Sequence, residues 1–156
     1  MAKEYVAPQQ SVALNQPIIF NASTPGNSRD IYHEDETGIF ILNGRNVKCN
    51  CPNAQAQYQF RFDGNIALPT GGTAGPIAVA LAVDGNPIIS TRAIVTPAAV
   101  DEYNFVGISK IVSIPRICGC ENVSILAVSG LVDDPTGTPA PLIVLENGNL
   151  SINRIA

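Results

Sequence analysis

The sequence predicts an all-β chain, an antiparallel two-sheet jelly-roll sandwich, and three observations carry that expectation. Gln57-Tyr-Gln-Phe-Arg-Phe-Asp63 alternates strictly, with Tyr58, Phe60 and Phe62 on one face and Gln57, Gln59 and Arg61 on the other. That is the pattern of a half-buried strand. Ile77-Ala-Val-Ala-Leu-Ala-Val83 is apolar throughout, as in a strand covered on both faces. Finally, 12 prolines and 13 glycines are spread so evenly that few windows can hold three helical turns.

In chain order, the strand-like stretches are Ser11–Asn15, Pro17–Asn21, Ile31–His33, Gly38–Leu42, Ala56–Asp63, Ile77–Val83, Ile88–Val95, Tyr103–Ile114, Asn122–Val132, Pro141–Glu146 and Leu150–Arg154. Their spacing is that of a sandwich, and so many short antiparallel strands favour a two-sheet jelly roll over an up-and-down barrel. Asp84-Gly85, Asn147-Gly148 and Asn43-Gly44 read as tight turns, because these dipeptides tolerate the positive φ that hairpins need. Pro97–Tyr103 is the best helix candidate, but its shortness favours an extended connector. Asp133–Pro141 is the longest turn-rich stretch and reads as an exposed loop. Residues 1–10 are expected to form an N-terminal arm, with Met1–Pro8 flexible and free to dock on a neighbour, ahead of one domain over 11–156.

A chain of 156 residues suits one domain that buries about two-thirds of its unfolded surface. Charged residues are only 14% and apolar residues 46%. So low a charge fraction, against about 25% in ordinary soluble domains, points to faces covered by copies of the same chain, expected to be apolar β-faces. A neutral surface of Asn, Gln, Ser and Thr is the alternative. The net charge is -4 and the nine basic residues are scattered, so nucleic acid is not an expected partner. The first residues lack the apolar stretch of a signal peptide, and no apolar run reaches the length of a membrane helix. Cytoplasmic synthesis is therefore expected, with any exit by lysis or within an assembled particle.

Few residues invite chemistry. Cys49-Asn-Cys51 and Cys118-Gly-Cys120 form two C-x-C pairs. They fit disulfides that staple the Gly44–Pro52 loop to the Arg116–Glu121 loop, free thiols of a reducing compartment, or a tetrahedral four-thiolate metal site. The metal reading is weakened by spacing tighter than the usual C-x₂-C knuckle. His33 is the sole histidine and opens His33-Glu-Asp-Glu36, which reads as a solvated hairpin tip. Glu121, Asp133 and Asp134 lack the regular spacing of a calcium loop and read as surface turns. Gly71-Gly-Thr-Ala-Gly75 lacks the P-loop lysine and reads as a wide turn. Asn21, Asn122 and Asn149 fit the glycosylation pattern, which means little without secretion. No catalytic set and no cofactor site is expected.

Three segments carry a resemblance: Asn65-Ile-Ala-Leu-Pro-Thr-Gly-Gly-Thr-Ala-Gly-Pro-Ile-Ala-Val-Ala-Leu81, Ala93-Ile-Val-Thr-Pro-Ala-Ala-Val-Asp-Glu-Tyr103, and the ending Pro139–Arg154. They look like small proteins encoded by gut Firmicutes and their tailed phages, and the likeness spans nearly the whole chain. Those proteins resemble C1q/TNF-like jelly rolls, including the C-terminal domains of collagen-like spore glycoproteins. The resemblance implies a compact trimer. A collagen-like stem is not expected, since no Gly-X-Y stalk is present. The implied role is a non-catalytic structural protein on a phage virion, such as a capsid decoration, head-fibre or tail accessory, partnered by itself and by a particle surface. Two alternatives stand: a subunit of a bacterial cell- or spore-surface appendage polymerising through arms and cysteines, or a glycan- or receptor-binding module. The absence of tryptophan argues against a sugar-stacking platform.

Overall fold

The computed structural model describes residues 3–22, 30–34, 36–43, 55–71, 75–115, 120–129 and 143–155. Among them are β1 (Lys3–Ala7), β2 (Gln10–Val12), β3 (Asn21–Ala22), β4 (Ile31–His33), β5 (Phe40–Asn43), β6 (Gln55–Ala67), β7 (Ile77–Val83), β8 (Asn86–Pro87), β9 (Ala93–Val95), β10 (Asn104–Pro115), β11 (Cys120–Ser129) and β12 (Ile143–Arg154). They form two antiparallel sheets. The first has the order β10-β6-β12-β1-β3, with β2 beside β12; the second has the order β4-β5-β11-β7-β8, with β9 beside β7. The first and last strands are neighbours, and the chain passes repeatedly between sheets, as a jelly roll requires.

The sandwich follows from the alternation. Tyr58, Phe60 and Phe62 of β6 are buried, and their registered partners Val112 and Ile108 on β10 and Ile152 and Leu150 on β12 are buried with them. The second sheet answers with Ile31, Phe40, Leu42, Ile77, Val79, Leu81, Val123 and Ile125 in the same continuous core. An aromatic chain joins the sheets: Phe62 meets Phe20 edge-on at 6.2 Å, Phe20 meets Phe40 at 5.6 Å, and Phe40 meets Tyr5 at 4.7 Å. Each such pair contributes roughly 0.5–1.5 kcal/mol beyond its buried area.

Asp84-Gly85 is the turn expected of it. Both residues have positive φ, 52° and 80°, as a two-residue hairpin between twisted strands demands. Asn147-Gly148 is not a hairpin. The chain runs straight through it as β12, and three steps along β12 face two along β6 between Glu146 and Asn149. Asn147 (φ 55°) supplies the left-handed conformation for this bulge. Ala7 pairs with Gly148, and a Cβ on Gly148 would come 2.9 Å from that of Ala7, so only glycine fits without a shift. The break between β1 and β2 lies opposite the same bulge.

The N-terminal segment is likewise not a flexible arm over its described length. Lys3–Ala7 lies between β12 and β3, and Tyr5 and Ala7 are core residues. The expected strands Ser11–Asn15 and Pro17–Asn21 shorten because this stretch crosses between sheets. Pro17 bridges to Leu126 in the second sheet, while Asn21 pairs with Val6 in the first. Gln10 helps hold the crossing, its amide bonding both the N–H (2.8 Å) and the carbonyl (2.9 Å) of Ile19. The expected strand Ile88–Val95 splits around a single 3-10 turn, Ile89–Thr91. There the Thr91 hydroxyl accepts the Leu81 N–H at 3.0 Å and donates to the Ile88 carbonyl at 2.7 Å, taking the place of a strand partner. Pro97–Tyr103 is a connector containing one turn, at Asp101 (φ 57°).

Candidate functional site

Among the described residues, the outward sides of the two sheets present side chains to other molecules. On the first sheet, register sets the outward residues in rows: Ser109–Arg61–Ser151–Glu4, Gly107–Asp63–Asn149–Val6, Ile111–Gln59–Asn153 and Phe105–Asn65–Glu146. Amides and hydroxyls outnumber the charged groups Glu4, Arg61, Asp63 and Glu146, so this face is polar rather than the oily surface expected from composition. Three large apolar side chains break it: Phe105 (69% exposed), Ile111 (50%) and Val6 (48%). Phe105 and Ile111 lie along the β10 margin, where Phe105 folds toward the backbone of Gly107.

The second sheet differs. On β7, Ala78, Ala80 and Ala82 point away from the main core, yet each is 0% exposed and clusters with Leu126. The apolar run was therefore rightly read as covered on both sides. Large apolar groups remain exposed farther out, at Tyr32 and Ile41, which are paired across β4 and β5, and at Ile39 and Ile94.

One end of the sandwich carries a polar clasp. The Tyr58 hydroxyl donates to the Asn43 carbonyl at 2.6 Å, with the Asp30 carbonyl 3.1 Å away. Arg154 pairs with the Asp30 carboxylate at 2.6 Å, its guanidinium 5.8 Å from the Tyr58 ring centroid. Two strands of the first sheet are thus tied to the second. Burial pushes the Tyr58 pKa up, with the Asp30 charge adding to the rise, while Arg154 and the Asn43 bond oppose it. Tyr5 is the contrast. Its hydroxyl is buried with no hydrogen-bond partner, and burial pushes its pKa up to about 12.

His33 is not at a solvated tip. It is buried on the core side of β4, stacked on Phe40 at 4.3 Å and met edge-on by Tyr5 at 5.1 Å. Its Nε2 lies 2.9 Å from the Thr37 carbonyl, which can only accept, so Nε2 carries the proton. Glu34 and Glu36 are the solvated part of that segment. Period-two alternation placed His33 beside Ile31 on the inward side, a signal masked by the acidic run after it. Among the described residues, no three His, Cys, Asp or Glu side chains converge on a metal-sized site. Cys49, Cys51, Cys118, Asp133 and Asp134 lie outside the described residues. Cys120 and Glu121 are described only as backbone of β11, where Cys120 pairs with Asn43.

Comparison with solved structures settles the architecture. The Eiger TNF of S. frugiperda superposes with a TM-score of 0.63 at 10% identity, covering 100% of this chain and 92% of that one. The globular domain of zebrafish complement 1qA gives 0.57 at 13%, covering 99% and 98%. The fold is that of the C1q/TNF jelly rolls. A third structure, the C-terminal domain of the sugar-binding protein EclA, matches at a TM-score of 0.32, too distant to bear on this chain. No family model and no curated protein matches the sequence. Within the C1q/TNF fold, Phe105, Ile111 and Val6 are the residues that the sequence reading missed. Their signal was present in the alternation of β10 and β1, but only pairing shows that they share one outward face.

Proposed function

We propose that this chain is a non-catalytic assembly module that forms a homotrimer through the outward face of its first sheet. The observation that carries the reading is that face itself: a broad polar array, amides and hydroxyls with a few charges among them, holding Phe105, Ile111 and Val6 in water. Neutral polar groups are cheaper to desolvate than charges, and exposed aromatic and aliphatic groups supply the gain on burial. The C1q/TNF fold supports a trimer in particular. The likeness of Asn65–Leu81, Ala93–Tyr103 and Pro139–Arg154 to small proteins of gut Firmicutes and their tailed phages supports a place on a virion surface, as decoration or head-fibre accessory. Sedimentation velocity tests the assembly. The wild type is expected at three times the 16.4 kDa chain mass, and Phe105→Asp with Ile111→Asp at one times. A double variant that remains assembled removes this face from the reading.

A second proposal concerns Cys49, Cys51, Cys118 and Cys120. The pairing of Cys120 with Asn43 supports bridges between the two C-x-C segments, because the stretch carrying Cys49 and Cys51 begins one residue after Asn43. Bridged protein is expected to shift on a gel when reduced; identical migration with and without reductant removes the bridges.

A further inference from the structure

Sheet edges are where one sandwich can add itself to another, since each edge strand leaves backbone N–H and carbonyl groups unpaired. Among the described residues, most edges are too short to serve: β3 and β8 have 2 residues each, and β4 and β9 have 3 each. The exception is β10, with 12 residues, paired to β6 along its whole length and to no other strand. No bulge interrupts its register from Asn104 to Pro115. Length, regularity and a run of Phe, Val and Ile make it a strand-pairing template.

One residue is out of place on it. Val106, Ile108, Val112 and Ile114 point inward and are buried. Lys110 belongs to the same side, registered opposite the buried Phe60, yet its side chain is exposed. The core-directed position in the middle of the edge strand therefore holds a cationic residue that stays in contact with water.

We infer that Lys110 closes the β10 edge to strand pairing with another copy of this chain. Were two β10 strands to pair, their sheets would run on as one, and two Lys110 ammonium groups would be enclosed near the joined cores without their water. An unpaired buried charge opposes such a contact, against the gain from the new backbone bonds. This inference stands on the geometry of β10 alone and holds whether or not the first sheet's face assembles trimers.

The test is Lys110→Val, compared with wild type and Lys110→Arg by sedimentation velocity over a hundredfold range of concentration, with hydrogen exchange read on the β10 amides. Lys110→Val is expected to form species larger than the wild-type particle, at a midpoint concentration at least tenfold lower than any wild-type growth. Exchange at β10 amides should slow at least tenfold in those species, and Lys110→Arg should match wild type. Should Lys110→Val not fold by circular dichroism, Lys110→Thr takes its place with the same direction expected. The inference is overturned if the neutral variant keeps the wild-type mass throughout. It is overturned equally if the variant grows without slowed exchange in β10, because the contact then lies elsewhere.

Discussion

The two sheets of this sandwich treat their outward sides in opposite ways. The first is amphipathic strand by strand, so β6 sends Tyr58, Phe60 and Phe62 to the core and Gln57, Gln59 and Arg61 outward. The second is apolar on both sides at β7, where Ala78, Ala80 and Ala82 are as well hidden as Ile77, Val79 and Leu81. The difference teaches where assembly can occur. The centre of the second sheet is already occupied by its own chain, whereas the first presents a broad polar surface punctuated by Phe105, Ile111 and Val6. Low charge alone did not distinguish these cases; the registers do.

Breaking the contrast gives the largest expected effect. Ala80→Asp buries an unpaired carboxylate on the hidden side of β7 and should cost about 4 kcal/mol or more, or prevent folding. Gln59→Asp on the open side of β6 should change the unfolding of the single chain by about 0.5 kcal/mol at most, its larger effect falling on assembly. Urea melts at equal protein concentration check both; equal costs would mean that the two outward sides are alike.

Next comes the seam of the first sheet, where β12, at its bulge against β6, touches β1. Gly148→Ala should destabilise by about 1–3 kcal/mol, since the new methyl overpacks against Ala7 where the backbones already touch. A thermal melt at the wild-type midpoint would show that the bulge relaxes freely.

Smaller effects separate the two tyrosines that reach from the first sheet toward the second. Tyr58→Phe abandons the Asn43 and Asp30 carbonyls and should cost about 1–2 kcal/mol. Tyr5→Phe removes a buried hydroxyl that has no partner, so it should be neutral or stabilising. Denaturant midpoints moving in the same direction by the same amount would contradict the clasp. The same pair predicts alkaline behaviour. Above about pH 10 the tyrosines of the unfolded chain lose their protons, while Tyr5 in the fold holds its own until about 12. Unfolding then releases a proton, so stability is complete below about pH 10 and declines toward 12. Tyr5→Phe should flatten that decline.

How much of this was legible beforehand depends on whether a signal is local. Alternation in Gln57–Asp63 and the positive-φ pair Asp84-Gly85 act within a few residues, and both were read correctly. Asn147-Gly148 was read as a hairpin because a bulge demands the same left-handed backbone. Only the distant partners β6 and β1 decide that β12 continues. Residues 1–10 read as an arm, yet within Lys3–Ala7 both Tyr5 and Ala7 sit at period-two positions and are buried. The candidate face was least legible. Phe105, Ile111 and Val6 come from strands far apart in sequence, and Lys110 acquires its meaning only once β10 is seen to be an edge.

The most direct measurement is the mass of the unaltered protein in solution over a wide concentration range, by light scattering or mass photometry. A discrete three-chain particle that persists on dilution is what the polar face of the first sheet, with Phe105, Ile111 and Val6 exposed on it, predicts. A particle that weighs 16.4 kDa even at high concentration would contradict it.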